Sequence, residues 1–502
     1  MHSLKEKEKN SNNTILMGVF VGYLIFNGIL LIRHELWRDE ANVWLMAREL
    51  SPLQLFREIK YQGHPCLWYL LVMPFAKMGF PFRIIGILSL SAMSVAAGLF
   101  LRKAPFGAFV KAVCVFSPIF TYFYADIARN YCLIALLLML LAWNYPGRNE
   151  KSIRYGIFLG LLVQSDTIAI APAGMISLMW MWENITVFLK RKDFRPVKKM
   201  LSGLWIPLAS FLLWIAQFYQ VSASPEFQIS RFGFREVLEG VRNYSFWILE
   251  RLSGQGQSLC RVLLVLFIVF FVVVSARIGD SGVFCVMTAS FLFEAVFSVV
   301  VYQLHYWHFI ALCFVLIWAV WVLYVQREKK RKGDRISGAA LAGLQILLLI
   351  FAGFMMLQWN SEDENSNLDN ALHGLYSDGV YTAKYIGENI SPDEIIVSAN
   401  VAMASTVQAY LPADYQFYFA GNGKIATYAD YSEDQSRQIS AEELLNWFEI
   451  NFPEKKGFYL LDTEGSCIID REELEEFQVL YQTPQETVRG EEYALYRIGS
   501  EE

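Results

Sequence analysis

Residues 15–32 read ILMGVFVGYLIFNGILLI, a run of eighteen residues without a charged side chain. A helix of about 20 apolar residues crosses the hydrocarbon core of a bilayer, so this run predicts a first transmembrane span. Lys5, Lys7 and Lys9 precede it, and cytoplasmic segments of membrane proteins carry an excess of Lys and Arg. We therefore expect residues 1–14 to be a cytoplasmic N-terminus, followed by an uncleaved anchor because no small-residue cleavage site is evident.

Composition extends this interpretation to the whole chain. Hydrophobic residues make up 55% of the 502 residues and charged residues only 18%, which argues against an ordinary soluble enzyme. Residues 359–502 hold 28 acidic and 8 basic side chains, whereas residues 1–358 hold 20 acidic and 35 basic ones. The contrast predicts a lipid-embedded body with basic loops, joined to an acidic domain in water. The seven cysteines are scattered with no CxxC pair, which indicates neither a zinc site nor a disulfide framework.

Basic loops set the direction of the later spans. Residues 328–332 read EKKRK and are the clearest cytoplasmic marker. Residues 66–80 contain Pro74 and Lys77 and are short for a crossing, so we place them along the outer interface. This leaves outer loops at residues 33–81 and 222–258. About eleven spans are predicted, at residues 15–32, 82–101, 108–124, 131–145, 155–165, 167–182, 200–220, 259–275, 281–302, 306–325 and 337–358.

The predicted fold is a polytopic α-helical membrane protein, with a transmembrane domain over residues 15–358 and a C-terminal soluble α/β domain over residues 359–502. In that last part, periodicity predicts helices over residues 371–389 and 441–451. Short β-prone runs predict strands at residues 394–397, 414–419, 457–461, 477–481 and 493–498. A small α/β layer on the extracytoplasmic side of the membrane is expected.

The stretch after the first span, residues 36–44, reads LWRDEANVW. Adjacent carboxylates directly outside a membrane helix are costly to desolvate, and Asp39 and Glu40 stand where a lipid headgroup meets an aqueous substrate. The alternative is structural: Asp39 caps a helix that begins at Glu40, and Glu40 lies on the wet face of that helix.

A second polar cluster, YADIARNY at residues 124–131, is predicted on the same side of the membrane. A carboxylate can remove a proton from an acceptor hydroxyl, and the planar guanidinium of Arg129 can bind a leaving phosphate. Asp126 and Arg129 together with Asp39 therefore suit transfer from a phosphate-linked lipid. The alternatives are that Asp126 only pairs with Arg129, or that Arg129 extends to the interface.

These motifs carry a family resemblance. WRDEA at residues 37–41, GHP at 63–65 with LWYL at 67–70, SP at 117–118 and ARNY at 128–131 resemble the GT-C membrane glycosyltransferases. The branch of protein O-mannosyltransferases and aminoarabinose (lipid A) transferases, family 39-like, is the most similar, over roughly residues 15–185. Many relatives have a second proline after the GHP proline, and often His or Tyr where Asp166 stands here, which leaves the sugar and acceptor open.

The resemblance implies a GT-C-like fold, a polyprenyl-phosphate sugar as donor, and a site on the outer face of a bacterial cell membrane. Asp39 would be the general base or the group that positions the acceptor, with Glu40 as its partner and Asp126 as a third catalytic acid. Substrate-binding residues would be Arg38, His64, Arg129, Tyr131, Arg231 and Arg242. The last two belong to a basic amphipathic stretch that binds either the donor phosphate or anionic lipid headgroups.

The predicted function is an inverting glycosyltransferase that moves a sugar to an acceptor hydroxyl of unknown identity on a protein, glycan or lipid. The absence of GxxxxGK[ST] and of a strand-borne GxGxxG fits a lipid phosphate donor rather than a nucleotide, and no nucleic acid partner is indicated. The alternatives are a transporter or flippase of lipid-linked sugars and a non-catalytic cell-envelope binding protein.

No cofactor is expected. A divalent cation at Asp39 and Asp126 is a less favoured alternative, because two carboxylates are few for a hard cation. His305 and His308 are spaced as a metal pair, but an aromatic interfacial belt accounts for them without a third ligand.

Overall fold

The computed structural model describes residues 2–219, 233–253, 257–279, 281–330, 334–359 and 367–499. Up to Trp359, these described ranges fold mainly as α-helices. Their bounds are α1 (His2–Arg33), α2 (Arg38–Glu49), α3 (Pro52–Glu58), α4 (Leu67–Lys77), α5 (Ile84–Lys103), α6 (Ala108–Phe116), α7 (Tyr131–Asn144), α8 (Ser152–Val163), α9 (Ile170–Arg191), α10 (Arg195–Phe218), α11 (Phe234–Ser253), α12 (Gln257–Ile278), α13 (Gly282–Val300), α14 (Tyr306–Lys330) and α15 (Arg335–Trp359).

Within the described residues, six helices are long and apolar enough to cross a membrane, namely α1, α5, α10, α13, α14 and α15. Shorter apolar helices lie at α4, α7, α8 and in α12. These helices point to an integral membrane protein and coincide with most of the predicted spans. The count of about eleven crossings stays a prediction. Helix α14 forms the centre of the bundle: 89% of its most apolar stretch is buried, as expected for a helix that is hydrophobic on every face.

Two predicted segments differ from the structure. The helix expected over residues 108–124 ends at Phe116, because Pro118 disfavours helical geometry at Ser117, which is extended with ψ 162°. Residues 117–130, the α6–α7 segment, then run through the protein interior without forming an α-helix. The predicted outer loop 222–258 contains helix α11, which is tied to α13 by a hydrogen bond from Tyr244 Oη to Glu294 Oε2 of 3.1 Å.

Close helix packing supports this architecture. A Cβ atom on Gly156 of α8 would lie 2.1 Å from the carbonyl oxygen of Gly203 on α10. Only glycine allows the two backbones to approach this closely, which is typical of packing between membrane helices.

The remaining residues, 367–499, form the C-terminal α/β region. Its elements are α16 (Leu368–His373), α17 (Gly379–Asn389), β1 (Ile396–Ser398), α18 (Val401–Tyr410), β2 (Phe417–Phe419), α19 (Ala441–Asn451), β3 (Gly457–Thr463), β4 (Gln478–Gln482) and β5 (Tyr493–Gly499). The sheet order is β2-β1-β3-β5-β4, with β1 parallel to β2 and β3, and β5 antiparallel to β3 and β4. All five predicted strands are present. The predicted helix 371–389 is divided into α16 and α17, and α18 was not predicted.

The C-terminal α/β region docks on the segment that follows α1. Helix α18 packs against α2. Asn42 of α2 pairs with the backbone of Ala429: its Nδ2 donates to the carbonyl at 3.1 Å, and its Oδ1 accepts from the amide at 2.8 Å. The amide of Arg38 donates to Glu491 Oε1 at 2.8 Å. The start of α2 is therefore held between the membrane helices and the C-terminal α/β region.

Candidate functional site

A cavity of about 160 Å³ lies beside the start of α2. It is lined by side chains from residues 39–43, 61–69, 129–131, 166–168 and 297–308, and by Tyr431 of the C-terminal α/β region. Of the residues predicted for the site, Asp39, His64, Arg129 and Tyr131 line this cavity. They come from three separate stretches of sequence, because Arg129 and Tyr131 stand in one motif, and the fold gathers these stretches.

Asp39 is one of two acids that line the cavity, the other being Asp166. Helix α2 begins at Arg38 with Trp37 as its N-cap, so Asp39 stands inside the first turn and does not cap a helix beginning at Glu40. Its carboxylate forms an ion pair with the guanidinium of Arg129. Burial alone raises the pKa of Asp39, but the positive charges of Arg129 and Arg38 outweigh it and hold the pKa below its ordinary value. Asp39 is thus ionised at neutral pH.

Arg129 is fixed by a chain of hydrogen bonds that ends at Asp166. Its Nη2 lies 2.7 Å from His64 Nε2, and His64 Nδ1 lies 3.1 Å from Asp166 Oδ2. Because a guanidinium can only donate, His64 Nε2 must accept, and the ring proton therefore resides on Nδ1 and is donated to Asp166. His64 consequently acts as a support for Arg129, with no free lone pair for a substrate proton.

Asp166 and Gly63 fix this support in place. Burial raises the pKa of Asp166, but its hydrogen bond with His64 and the amide of Ile168 more than compensate and lower the pKa. Asn130 Nδ2 also donates to Asp166 Oδ2 at 2.6 Å. Gly63 has φ 72°, a left-handed conformation that glycine adopts at no steric cost, and it turns the chain just before His64.

Tyr131 presents a hydroxyl to the cavity in a defined orientation. The amide of His305 donates to His308 Nδ1 at 2.9 Å, and His308 Nε2 lies 3.0 Å from Tyr131 Oη. Since Nδ1 accepts, the proton of His308 resides on Nε2 and is donated to the tyrosine oxygen. The hydroxyl proton of Tyr131 is then free to point at a ligand.

Glu40 is buried behind the cavity and organises it. One carboxylate accepts from the amide of Trp37 at 3.0 Å, from His34 Nε2 at 3.0 Å, and from the amide of Ala128. These bonds join the start of α2 to the α6–α7 segment. The neighbour of Glu40 on α2, Asp39, is thereby brought to Arg129, the neighbour of Ala128.

Asp126 is not brought to the cavity. It is fully buried, and the amide of Tyr122, a residue with φ 57°, donates to its Oδ2 at 3.2 Å. Within the described part of the chain its Oδ1 has no hydrogen-bond partner. Burial raises its pKa well above the ordinary value, and the charge of Glu40 raises it further. Burial therefore favours the neutral form of Asp126, which closes a turn in the α6–α7 segment.

The other predicted arginines lie elsewhere. Arg38 points to the C-terminal α/β region, where its Nη1 is 3.2 Å from Met403 Sδ. Arg242 is exposed on α11 and does not line the cavity. Arg231 lies outside the described residues.

A metal site is not evident at the predicted pair. Asp39 is engaged by Arg129, whereas Asp126 points away from the cavity. Over the described ranges, no group of three or more His, Cys, Asp and Glu side chains is placed to hold an ion.

The sequence matches no protein-family model and no curated protein sequence. Among solved structures, the chain is similar to the crystal structure of ArnT from Cupriavidus metallidurans bound to undecaprenyl phosphate. Over 98% of this chain and 98% of that chain, the TM-score is 0.42 and the sequence identity is 10%. ArnT is an aminoarabinose transferase and a GT-C glycosyltransferase.

Proposed function

We propose that this protein is an inverting glycosyltransferase that moves a sugar from a polyprenyl-phosphate donor to an acceptor hydroxyl at the outer face of the membrane. One observation carries the proposal: an ionised carboxylate, Asp39, and a guanidinium, Arg129, form one ion pair on the wall of a cavity that adjoins apolar helices. A base and a phosphate-binding group thus stand side by side where a lipid-linked substrate has access.

Donor binding activates Asp39 in this mechanism. A phosphodiester is a good ligand for the planar fork of Arg129 and competes with Asp39 for it. Because the charge of Arg129 is a main cause of the lowered pKa of Asp39, loss of this pairing makes the carboxylate a stronger base. Asp39 therefore becomes competent to accept a proton when the donor is in place.

The transfer step is a single displacement. The acceptor oxygen attacks the anomeric carbon, its proton passes to Asp39, and the bond between the anomeric carbon and the phosphate oxygen breaks. The polyprenyl phosphate leaves with one more negative charge than it carried as a diester, and Arg129 stabilises that charge. Attack from the face opposite the phosphate inverts the anomeric configuration.

His64 and Asp166 serve as positioning residues. They hold Nη2 of Arg129 in place while Nη1 leaves Asp39 and binds the phosphate. Tyr131 directs its hydroxyl into the same cavity, where it can bond to a sugar or phosphate oxygen.

The test uses the full chain in liposomes with a labelled polyprenyl-phosphate sugar and a cell-envelope extract as the source of acceptor. We expect release of polyprenyl phosphate and an inverted glycosidic product, and loss of both in Asp39→Asn. Asp193→Asn is the matched control, because Asp193 pairs with Arg195 on an exposed surface. Movement of intact donor across the bilayer would instead support a flippase, and binding without either process would support a non-catalytic protein.

A further inference from the structure

Arg489, in the loop between β4 and β5, reaches from the C-terminal α/β region towards the membrane helices. Its guanidinium lies 4.8 Å from the ring centre of Trp37, 5.2 Å from that of Trp307 and 5.2 Å from that of Tyr376. Its Nε donates to Tyr376 Oη at 2.6 Å. Three aromatic rings from different parts of the chain therefore hold one cation in a fixed position.

The charge of Asp39 acts on this cation from a distance, but among the described residues no carboxylate forms an ion pair with it. In the part of the chain that the structure describes, no carboxylate lies within 4.0 Å of Arg489. A partly buried charge is costly to desolvate unless an opposite charge is supplied. Aromatic faces offset only part of that cost. The arrangement therefore favours an anion that binds beside Arg489.

Space for one oxygen atom of such an anion exists between Arg489 and Arg129. Both side chains line a small cavity of about 10 Å³, which is roughly the size of one water molecule or one oxygen atom. Arg129, Tyr131 and Trp307 line this space and also the larger cavity beside Asp39. The two guanidinium groups thus flank the same corner of the candidate site.

We propose that Arg489 binds the phosphate of the lipid-linked donor together with Arg129, so that the C-terminal α/β region completes the site. The inference rests on the proposed function and adds a second phosphate ligand to it. The phosphate gains one negative charge when its bond to the anomeric carbon breaks, and the cage holds Arg489 where that charge develops. Its stabilisation is therefore larger in the transition state than in the bound donor.

A rival role for Arg489 is to fasten the C-terminal α/β region to the aromatic rings. Arg489→Met separates the two roles, because Met fills the cage without a charge. The matched control is Arg497→Met, since Arg497 also lies over an aromatic ring, 4.7 Å from the centre of Tyr459, but does not line either cavity. Arg489→Lys keeps the charge and serves if the Met variant fails to fold.

Binding of undecaprenyl phosphate and of the uncharged polyprenol to the full chain in nanodiscs is measured first. We expect Arg489→Met to lower affinity for the phosphate about tenfold or more, with polyprenol binding unchanged and Arg497→Met equal to wild type. Arg489→Lys is expected to fall between the two. With a sugar donor, the kcat of Arg489→Met should fall more than its KM rises.

Each outcome has a defined meaning. Unchanged phosphate affinity in Arg489→Met, or an equal loss of phosphate and polyprenol binding, overturns the assignment in favour of a fastening role. If the wild-type protein transfers sugar and Arg489→Met transfers it at the same rate, the role of Arg489 is overturned while the proposed function stands. Charge-dependent phosphate binding without any sugar transfer retains the phosphate site and removes the proposed function.

Discussion

Asp39 and Asp126 are both aspartates with a predicted catalytic role, but they lie in regions with opposite electrostatic environments. Asp39, at the start of α2, faces a cavity and an arginine, so its pKa is lowered. Asp126, in the α6–α7 segment, is enclosed near Glu40 and forms no ion pair with any cation that the structure describes, so its pKa is raised. The neighbouring charges decide which carboxylate is ionised, because burial acts in the same direction on both. Only the first is equipped to be a base.

The largest expected effect is a contrast between two isosteric substitutions. Asp39→Asn should lower the rate of sugar transfer by about 100-fold or more, because the base and the partner of Arg129 are both lost. Asp126→Asn should retain transfer within about tenfold, since an amide oxygen can still accept from Tyr122 and burial favours the neutral form of the native acid. Initial rates on the same donor measure both. A severe loss of rate in folded Asp126→Asn would return Asp126 to the catalytic residues.

A second prediction compares Arg129 with Arg242, both first expected to bind substrate. Arg129→Lys should weaken binding of undecaprenyl phosphate about tenfold, because an ammonium cannot replace a planar fork that also donates to His64. Arg242→Lys should leave affinity unchanged, because Arg242 is exposed on α11. Lipid titration of the two variants in nanodiscs decides the matter. Equal losses would mean that α11 contributes to phosphate binding.

Hydropathy located most of the membrane helices because a bilayer imposes the same requirement on every crossing, a long apolar run. It failed over residues 108–124, where apolar residues continue past Phe116 but Pro118 ends the helix. Composition within a run does not reveal such an end, whereas the backbone rule for the residue before proline does. The split of the predicted helix 371–389 into α16 and α17 likewise escaped a periodicity argument.

The residues of the candidate site were partly predictable from short sequence motifs. Asp39, His64, Arg129 and Tyr131 stand in short motifs, and the structure places all four around one cavity. Asp126 is turned away from the cavity by a segment with left-handed backbone at Tyr122. A glycine would have signalled this conformation in the sequence, but the position is a tyrosine. Arg489 and Arg497 look alike in sequence, and only the docking of the C-terminal α/β region brings one of them to Trp37 and Trp307.

Glu491 is a third buried acid, which contacts the start of α2 from the C-terminal α/β region. Its substitution is expected to have the smallest effect, a change in thermal stability. It accepts from the amide of Arg38 at 2.8 Å and from the hydroxyl groups of Ser377 and Thr406 at 2.6 and 3.1 Å. Burial raises its pKa from 4.5 to about 7 despite these bonds. An acid with a raised folded-state pKa binds more protons in the folded than in the unfolded state between these values. Its contribution to stability is therefore full below pH 4.5 and is lost as the pH rises through about 7.

Glu491→Gln should remove this pH dependence, because the amide keeps the bond from Arg38 and carries no charge at any pH. We expect its unfolding midpoint to match wild type near pH 4.5 and to exceed it by a few degrees at pH 8. Glu473→Gln, a change at an exposed acid in the same region, is the control and should follow the wild-type curve. Thermal unfolding of the three proteins across this pH range gives the answer. Parallel curves for Glu491→Gln and wild type would mean that Glu491 is already ionised at the junction, as Asp39 is at the cavity, and that a local charge rather than burial governs both.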